Sequence, residues 1–207
     1  MTWNGPTFED LERAVFRLER GRPSSDFDLN ATAKPAEAAQ KRPAAVLIPV
    51  VERDGHLSLL LTKRSAKLRY HPGQISFPGG KVEPSDRDIL SAALREAEEE
   101  IGLADAEVEL LGALPAHETV TRFDVYPFLG RISPLFAPRP YEGEVAEVFE
   151  VPLAHVTRAE NFIVHDRMWK GQVRRYYAVP YGPYYIWGAT ARILRQLADT
   201  LDSSDAD

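Results

Sequence analysis

The sequence of 207 residues contains no cysteine. Disulfides, a thiolate nucleophile and thiolate metal ligands are excluded together, and the absence fits a reducing compartment. No apolar run approaches the ~18 residues that a membrane-spanning helix needs. The start, Met1-Thr2-Trp3-Asn4-Gly5-Pro6, shows neither a basic stretch nor an apolar one behind it, so a soluble, cytoplasmic protein is expected. Positive charge is also scarce: 25 Lys and Arg face 31 Asp and Glu, a net charge of −6. That balance, without a basic block, lacks the footprint of a nucleic-acid binder, although a local group of cations can still hold a small phosphorylated ligand. What the chain does have is 44% hydrophobic residues, enough for a packed core in one domain with an extension or two.

Phe8, Leu11, Ala14, Val15 and Leu18 recur at helical spacing, which predicts an amphipathic helix capped by Thr7 and ended before Gly21 and Pro23. Residues 21–42 are polar, Ala-rich and broken by Pro, and read as a surface loop. Two apolar runs, 44–51 and 56–62, flank Asp54-Gly55 and predict a β-hairpin. Further strands are expected around Leu110-Leu111-Gly112 and Val125–Leu129, and a short element over Val145–Val151 follows the Pro-rich stretch Pro134–Pro140. Residues 172–187 predict two aromatic strands about the turn Tyr181-Gly182-Pro183. A last helix is expected over Thr190–Leu201, and the acidic tail 202–207 reads as frayed.

The stretch with most chemistry runs from Gly79-Gly80-Lys81 through Arg95-Glu96-Ala97-Glu98-Glu99-Glu100-Ile101-Gly102-Leu103. Ser85 or Asp86 can cap its helix, and Gly102 stands where a C-terminal glycine belongs. At ~100° per residue, Glu99 and Glu100 fall within about 60° of Glu96, while Glu98 lies on the far side. Leu90, Ala93, Leu94, Ala97 and Ile101 form an apolar stripe beside the acids. Acids on a helix are ordinarily a solvated face, but these carry a penalty. They repel at i, i+3 and i+4, and they occupy the last turn, where the helix dipole disfavours negative charge. A divalent cation removes that strain, and oxygen-only ligation suits Mg²⁺ or Mn²⁺ rather than Zn²⁺. Arg95, four residues before Glu99, can brace one carboxylate.

This stretch resembles the Nudix box, G-x5-E-x7-R-E-U-x-E-E-x-G-U with U aliphatic. Gly80, Arg95, Glu96, Ala97, Glu99, Glu100, Gly102 and Leu103 match it in order. Fourteen residues separate Gly80 from Arg95 in place of the family's thirteen. The upstream acid is therefore open among Glu83, Asp86 and Asp88, with Asp86 where the first Glu would fall.

Leu60-Leu61-Thr62-Lys63-Arg64-Ser65-Ala66-Lys67-Leu68-Arg69-Tyr70-His71-Pro72-Gly73-Gln74-Ile75-Ser76-Phe77-Pro78 leads directly into Gly79-Gly80. It resembles L-L-T-x-R-[SA]-x3-R-x3-G-x3-F-P-G-G, the signature of the coenzyme A diphosphatase branch of the Nudix hydrolases. Tyr184–Ala191 resembles the I-W-G-x-T-A close of that branch. The resemblance implies an α/β/α sandwich with a mixed, curved sheet between helices, plus the N-terminal helix: residues 1–42 as helix and loop on the core, 43–201 as hydrolase domain, 202–207 as tail. It implies hydrolysis of the diphosphate bond of coenzyme A or an acyl derivative, dependent on Mg²⁺ or Mn²⁺ held by Glu96, Glu99 and Glu100. Glu99 is the first choice of base within the box, with Arg95 beside it, and Glu144 resembles a downstream loop acid of relatives. Substrate would meet Arg64, Arg69 and Lys63, with Gly73, Gly79 and Gly80 allowing close backbone approach. Phe77 and Pro78 read as packing residues, and His71 and His117 receive no catalytic role. The ligand expected is a small coenzyme A-type diphosphate, not nucleic acid or a membrane, and a homodimer is an assembly the resemblance allows. Two alternatives stay open: a related pyrophosphatase acting on ADP-ribose or another nucleoside diphosphate, and a ligand sensor without catalysis.

Overall fold

Thr7 opens the first helix, α1 (Phe8–Leu18), through a reciprocal box in which its hydroxyl accepts the Asp10 N–H and the Asp10 carboxylate accepts the Thr7 N–H. Leu11, Ala14, Val15 and Leu18 are buried along it, as their spacing requires. The computed structural model describes residues 5–30, 40–169 and 171–203. After α1 come β1 (Ser24–Ser25), β2 (Arg42–Arg53), β3 (His56–Arg64), β4 (Ile75–Ser76), β5 (Gly79–Lys81) and α2 (Ile89–Ile101). They are followed by β6 (Val108–Ala113), β7 (His117–Glu118), β8 (Phe123–Ile132), β9 (Val145–Pro152) and α3 (Leu153–Val156). A hairpin of β10 (Ile163–Trp169) and β11 (Gln172–Ala178) then leads to α4 (Ala189–Asp202).

Asp54 and Gly55 both take positive φ, 50° and 77°, and turn β2 into an antiparallel pairing with β3. β2 also runs parallel to β8 from Arg42↔Phe123 to Val51↔Ile132. β9 and β4 pair antiparallel with β3, and β6 and β7 pair antiparallel with β8, so one mixed sheet forms the middle layer. Alternation along the strands divides the core in two. Ile48, Val50, Leu59 and Leu61 pack with Leu11, Val15, Leu194 and Leu197 of α1 and α4. Leu47, Val51 and Leu60 pack with Ala97, Ile101 and Leu103 on the α2 side. The expected mixed sheet between helices is the observed architecture.

Three local expectations need correction. The segment 21–42 is more than a loop: β1 pairs in parallel with β7, and Asn30 bonds the Arg175 carbonyl at 2.7 Å and accepts the Arg175 N–H at 2.8 Å. The middle of that segment, 31–39, and the tail from 204 lie outside the described residues. The aromatic segment supplies β11, but its partner is β10 and not residues 184–187, which touch back through the isolated bridges Ala178↔Trp187 and Tyr181↔Tyr184. Pro180 and Pro183 lack the N–H groups that a continuous ladder would need. The cap of α2 is Asp88, neither Ser85 nor Asp86.

Candidate active site

Asp88 caps α2 with Oδ1 accepting the Ser91 N–H at 2.7 Å, while the Ser91 hydroxyl oxygen accepts the Asp88 N–H at 2.9 Å. The helix buries Ala92, Ala93, Ala97 and Ile101, small residues that let it lie close on β2, and closes at Gly102 with φ 72°. Its last turns carry Glu96, Glu99 and Glu100, and Glu98 is exposed on the other side. Gly80 decides how near Glu96 comes to the sheet. A Cβ on Gly80 would lie 2.3 Å from Glu96 Oε1, so only glycine leaves room for the carboxylate against β5. Gly79 is as restricted: a Cβ there would meet the Ala45 carbonyl at 2.4 Å.

Arg95 gathers the acids. Its Nε and Nη2 bond Asp86 Oδ1 and Oδ2 at 2.9 and 3.2 Å, and Nη2 also bonds the Lys81 carbonyl at 3.2 Å. Its Nη1 donates to Glu96 Oε1 and Glu99 Oε2, each at 3.1 Å. Of the three upstream acids, Asp86 is thus the partner of Arg95, Asp88 is the cap, and Glu83 lends its backbone N–H to Asp86 Oδ2 at 2.7 Å. The Arg95 hydrogen bonds, then the Glu83 N–H, hold the Asp86 carboxyl below its ordinary range, and Asp86 in turn keeps the Arg95 guanidinium charged.

Glu100 is 3% exposed. Its Oε2 accepts the Gly79 N–H at 3.1 Å, and its Oε1 lies 3.8 Å from Arg64 Nη1. Burial pushes its pKa up to about 7, with Glu96 and Glu144 adding to the rise and Gly79 and Arg64 opposing it. Burial raises Glu96 as well, against the pull of Arg95, and the charges of Glu99 and Glu144 add to it. Glu144 comes from the other side: its carbonyl accepts the Ser65 N–H at 2.7 Å, and Tyr141, which starts that loop, donates its N–H to the Glu100 carbonyl at 2.9 Å. The end of β3, the start of β5, the end of α2 and the 141–144 loop therefore converge on one strongly negative spot.

Among the described residues no three carboxylates or imidazoles enclose a point as a finished cation site. Arg95 stands between Glu96 and Glu99, and an ion would have to share or replace its contacts. The donor set still suits a hard divalent cation: oxygen only, crowded, partly desolvated, and seated in a cradle that one methyl group on Gly80 would fill.

The NUDIX domain family matches residues 41–170, more than half of the chain. The chain belongs to the Nudix family. It is 46% identical over 162 residues to a protein of Citrobacter koseri named uncharacterized Nudix hydrolase NudL, covering 78% of this chain and 84% of that protein. The NudL of an Enterobacter species is 42% identical over 174 residues, 84% of this chain and 90% of the other. Among solved structures, the MutT protein from Methanosarcina mazei Go1 aligns with a TM-score of 0.52 and 18% identity over 83% of this chain and 100% of its own, a likeness of fold. The protein is thus a pyrophosphatase of the Nudix type, in a family that generally needs divalent metal ions.

With the Nudix box in place, the other expected residues can be located. Arg64 turns toward Glu100, aided by the register shift between Lys63 and Arg64. Lys63 pairs with Ile75, a residue of the α4-side core, so by alternation it faces away from the carboxylates. Arg69 is exposed, its guanidinium 5.3 Å from the Tyr70 ring, and is not brought to the acids. Gly73, with φ 70°, donates its N–H to the Arg64 carbonyl at 3.1 Å and closes the loop. Phe77 is buried as packing. His117 is fully buried between Ser24 Oγ at 2.9 Å and Asp26 Oδ1 at 3.2 Å; the order resembles a nucleophile triad, but Ser24 is itself 2% exposed, so the three act as a clamp on the N-terminal segment. Sequence reading missed a second group of cations, Arg167, Arg174, Arg175 and Arg192, which line a cleft of about 520 Å³. Its signal was present as three arginines spaced about a Gly171 turn, and only the pairing of β10 with β11 makes it one surface.

Proposed function

We propose that this Nudix hydrolase cleaves the diphosphate bond of coenzyme A or an acyl-coenzyme A, releasing 4′-phosphopantetheine or its acyl form and adenosine 3′,5′-bisphosphate. The observation that carries the reading is the signature over Leu60–Gly80, which runs in register into the carboxylate helix. The position of its Arg64, 3.8 Å from Glu100, supports it. Mg²⁺ or Mn²⁺ held by Glu96, Glu99 and Glu100 would polarise the diphosphate and lower the pKa of a bound water. Arg64 would orient the diphosphate, as a guanidinium at a fixed site does best. Glu99 is the most exposed of the three box acids and the first candidate to accept the proton of water, with Glu144 as the second. Arg95, anchored on Asp86, holds Glu96 and Glu99 in place.

The test incubates the protein and Mg²⁺ with coenzyme A and with ADP-ribose in ¹⁸O-water, followed by mass analysis. Phosphopantetheine and the bisphosphate should appear, with heavy oxygen on one of them. Turnover of ADP-ribose without turnover of coenzyme A would sink the substrate assignment. Full activity in both Glu99→Gln and Glu100→Gln would sink the assignment of the metal carboxylates.

A further inference from the structure

The cleft of about 520 Å³ lies between the β10–β11 hairpin, residues 25–30, the 71–74 loop and the start of α4. Arg167 and Arg174 line it and are direct cross-strand partners in the hairpin. Like charges placed opposite each other destabilise a strand pair unless an anion lies between or beside them. Arg175 and Arg192 line the cleft too, tied by Asp166 at 3.3 Å and by Asp28 at 2.7 Å. The one carboxylate among its lining residues, Asp26, already accepts from the Val120 N–H at 2.9 Å and lies 3.2 Å from His117 Nε2. Arg167 has no carboxylate partner among the described residues and lies 5.7 Å from the centre of the Trp187 ring. Trp187 and Tyr176, with ring centres 5.1 Å apart, supply flat apolar wall. Gly188 also lines the cleft and begins α4 without a side-chain cap, so N–H groups of the helix start remain for an acceptor. Clustered guanidinium groups, aromatic plates and an uncapped helix start together suit a phosphate monoester on a heteroaromatic nucleoside.

The cleft is not isolated from the carboxylates. The 71–74 loop that walls it bonds Arg64 on both sides, Gly73 N–H to the Arg64 carbonyl at 3.1 Å and Arg64 N–H to the Gln74 carbonyl at 2.9 Å, and Arg64 reaches Glu100. We propose that the cleft receives the phosphorylated nucleoside end of the substrate, with the 3′-phosphate between Arg167 and Arg174 and the base against Trp187 and Tyr176. This rests on the proposed function, in which the scissile diphosphate lies at the carboxylates and a separate phosphate sits on the ribose. Arg167 and Arg174 then act as specificity residues that distinguish coenzyme A from its 3′-dephospho form.

Two measurements test it. Calorimetric titration without metal should show adenosine 3′,5′-bisphosphate binding at least tenfold more tightly than adenosine 5′-monophosphate. Arg167→Ala should shrink that ratio at least fivefold, and Arg167→Lys should restore part of it; Arg167 is exposed, so the fold should survive both changes. In turnover, the KM preference for coenzyme A over dephospho-coenzyme A should narrow by a similar factor. Equal affinity for the two nucleotides, or a ratio untouched by Arg167→Ala while coenzyme A is hydrolysed, would overturn the cleft assignment and leave the proposed function standing. Tight, Arg167-dependent bisphosphate binding in a protein that does not hydrolyse coenzyme A would uphold the cleft and overturn the proposed function.

Discussion

Glu100 is a carboxylate in a place that water scarcely reaches, with one N–H donor at 3.1 Å and a guanidinium at 3.8 Å. Such a group is kept for function at the expense of stability. Glu100→Gln keeps an oxygen for the Gly79 N–H and removes the charge. In metal-free protein at pH 8 its melting temperature should equal or exceed that of the wild type, while turnover with Mg²⁺ falls by two orders of magnitude or more. Glu98→Gln, on the exposed side of the same turn, should change neither. A loss of thermal stability in Glu100→Gln would mean that the charge is already compensated in the free protein. Gly80→Ala tests the same spot from the sheet. The new Cβ would need the space at 2.3–2.6 Å now held by the Glu96 carboxyl, so the side chain must swing out. Expected is at least a tenfold fall in kcat with an unchanged far-ultraviolet dichroism spectrum; full activity would show that the Glu96 position is not critical.

At the scale of elements, α2 shows what a linear sequence does and does not reveal. Its acidic face and apolar stripe follow from a period of 3.6 residues and Gly102 marks its stop; the structure buries Ala93, Ala97 and Ile101 of that stripe, leaves Leu90 and Leu94 half-buried, and buries Ala92 and Glu100 on the acidic side as well. Its start was harder to read, because Ser85, Asp86 and Asp88 all have the chemistry of a cap and only the fold of the 82–88 turn chooses between them. Asp88→Ala should therefore cost about 1 kcal/mol in urea unfolding, whereas Ser85→Ala should cost nothing measurable. The role left to Asp86, holding Arg95, predicts a pH signature. Its carboxyl is held below the ordinary value of 3.8 in the folded state, chiefly by Arg95. A depressed folded value adds stability above the unfolded value, lost as pH falls through the folded one. Asp86→Asn should thus be less stable than the wild type at neutral pH, and the gap should narrow as pH falls below the ordinary carboxylate value and through the depressed folded one. A gap independent of pH would place the cost in packing instead. The strands divide in the same way. Asp54-Gly55 announced the β2–β3 hairpin, but β10 went unread because Ile163–Trp169 carries His165, Asp166 and Arg167 with no simple apolar alternation, and its stabilisation comes from β11.

For the whole molecule, the layered core was legible only through the resemblance to the Nudix hydrolases; the unbroken apolar runs of β2 and β3 fit it, since Leu47 and Ile48, or Leu60 and Leu61, serve opposite layers. How the N-terminal segment joins that core was not legible, because its attachments span the chain: Ser24 and Asp26 to His117, Asn30 to Arg175, Asp28 to Arg192. The family match begins at residue 41, which suggests that everything before it is dispensable decoration. The packing argues otherwise. Leu11, Ala14, Val15 and Leu18 belong to the same buried cluster as Leu59, Leu61, Leu194 and Leu197. Burying the Leu and Val side chains among them contributes about 1.5–3 kcal/mol each, against a total stability of only about 5–15 kcal/mol for a typical domain. A chain beginning at Lys41 should therefore lose cooperative thermal unfolding and near-ultraviolet dichroism, with the apolar α4 face exposed. Leu11→Ala in the full chain provides the milder version, because Leu11 is fully buried and its loss leaves a cavity. It should cost about 2–5 kcal/mol in urea unfolding while KM for the diphosphate substrate stays within twofold, since α1 packs on the sheet face opposite α2 and its carboxylates. A shortened chain that still unfolds cooperatively, together with a cost below about 1 kcal/mol for Leu11→Ala, would show that the sheet and α4 close the core without α1.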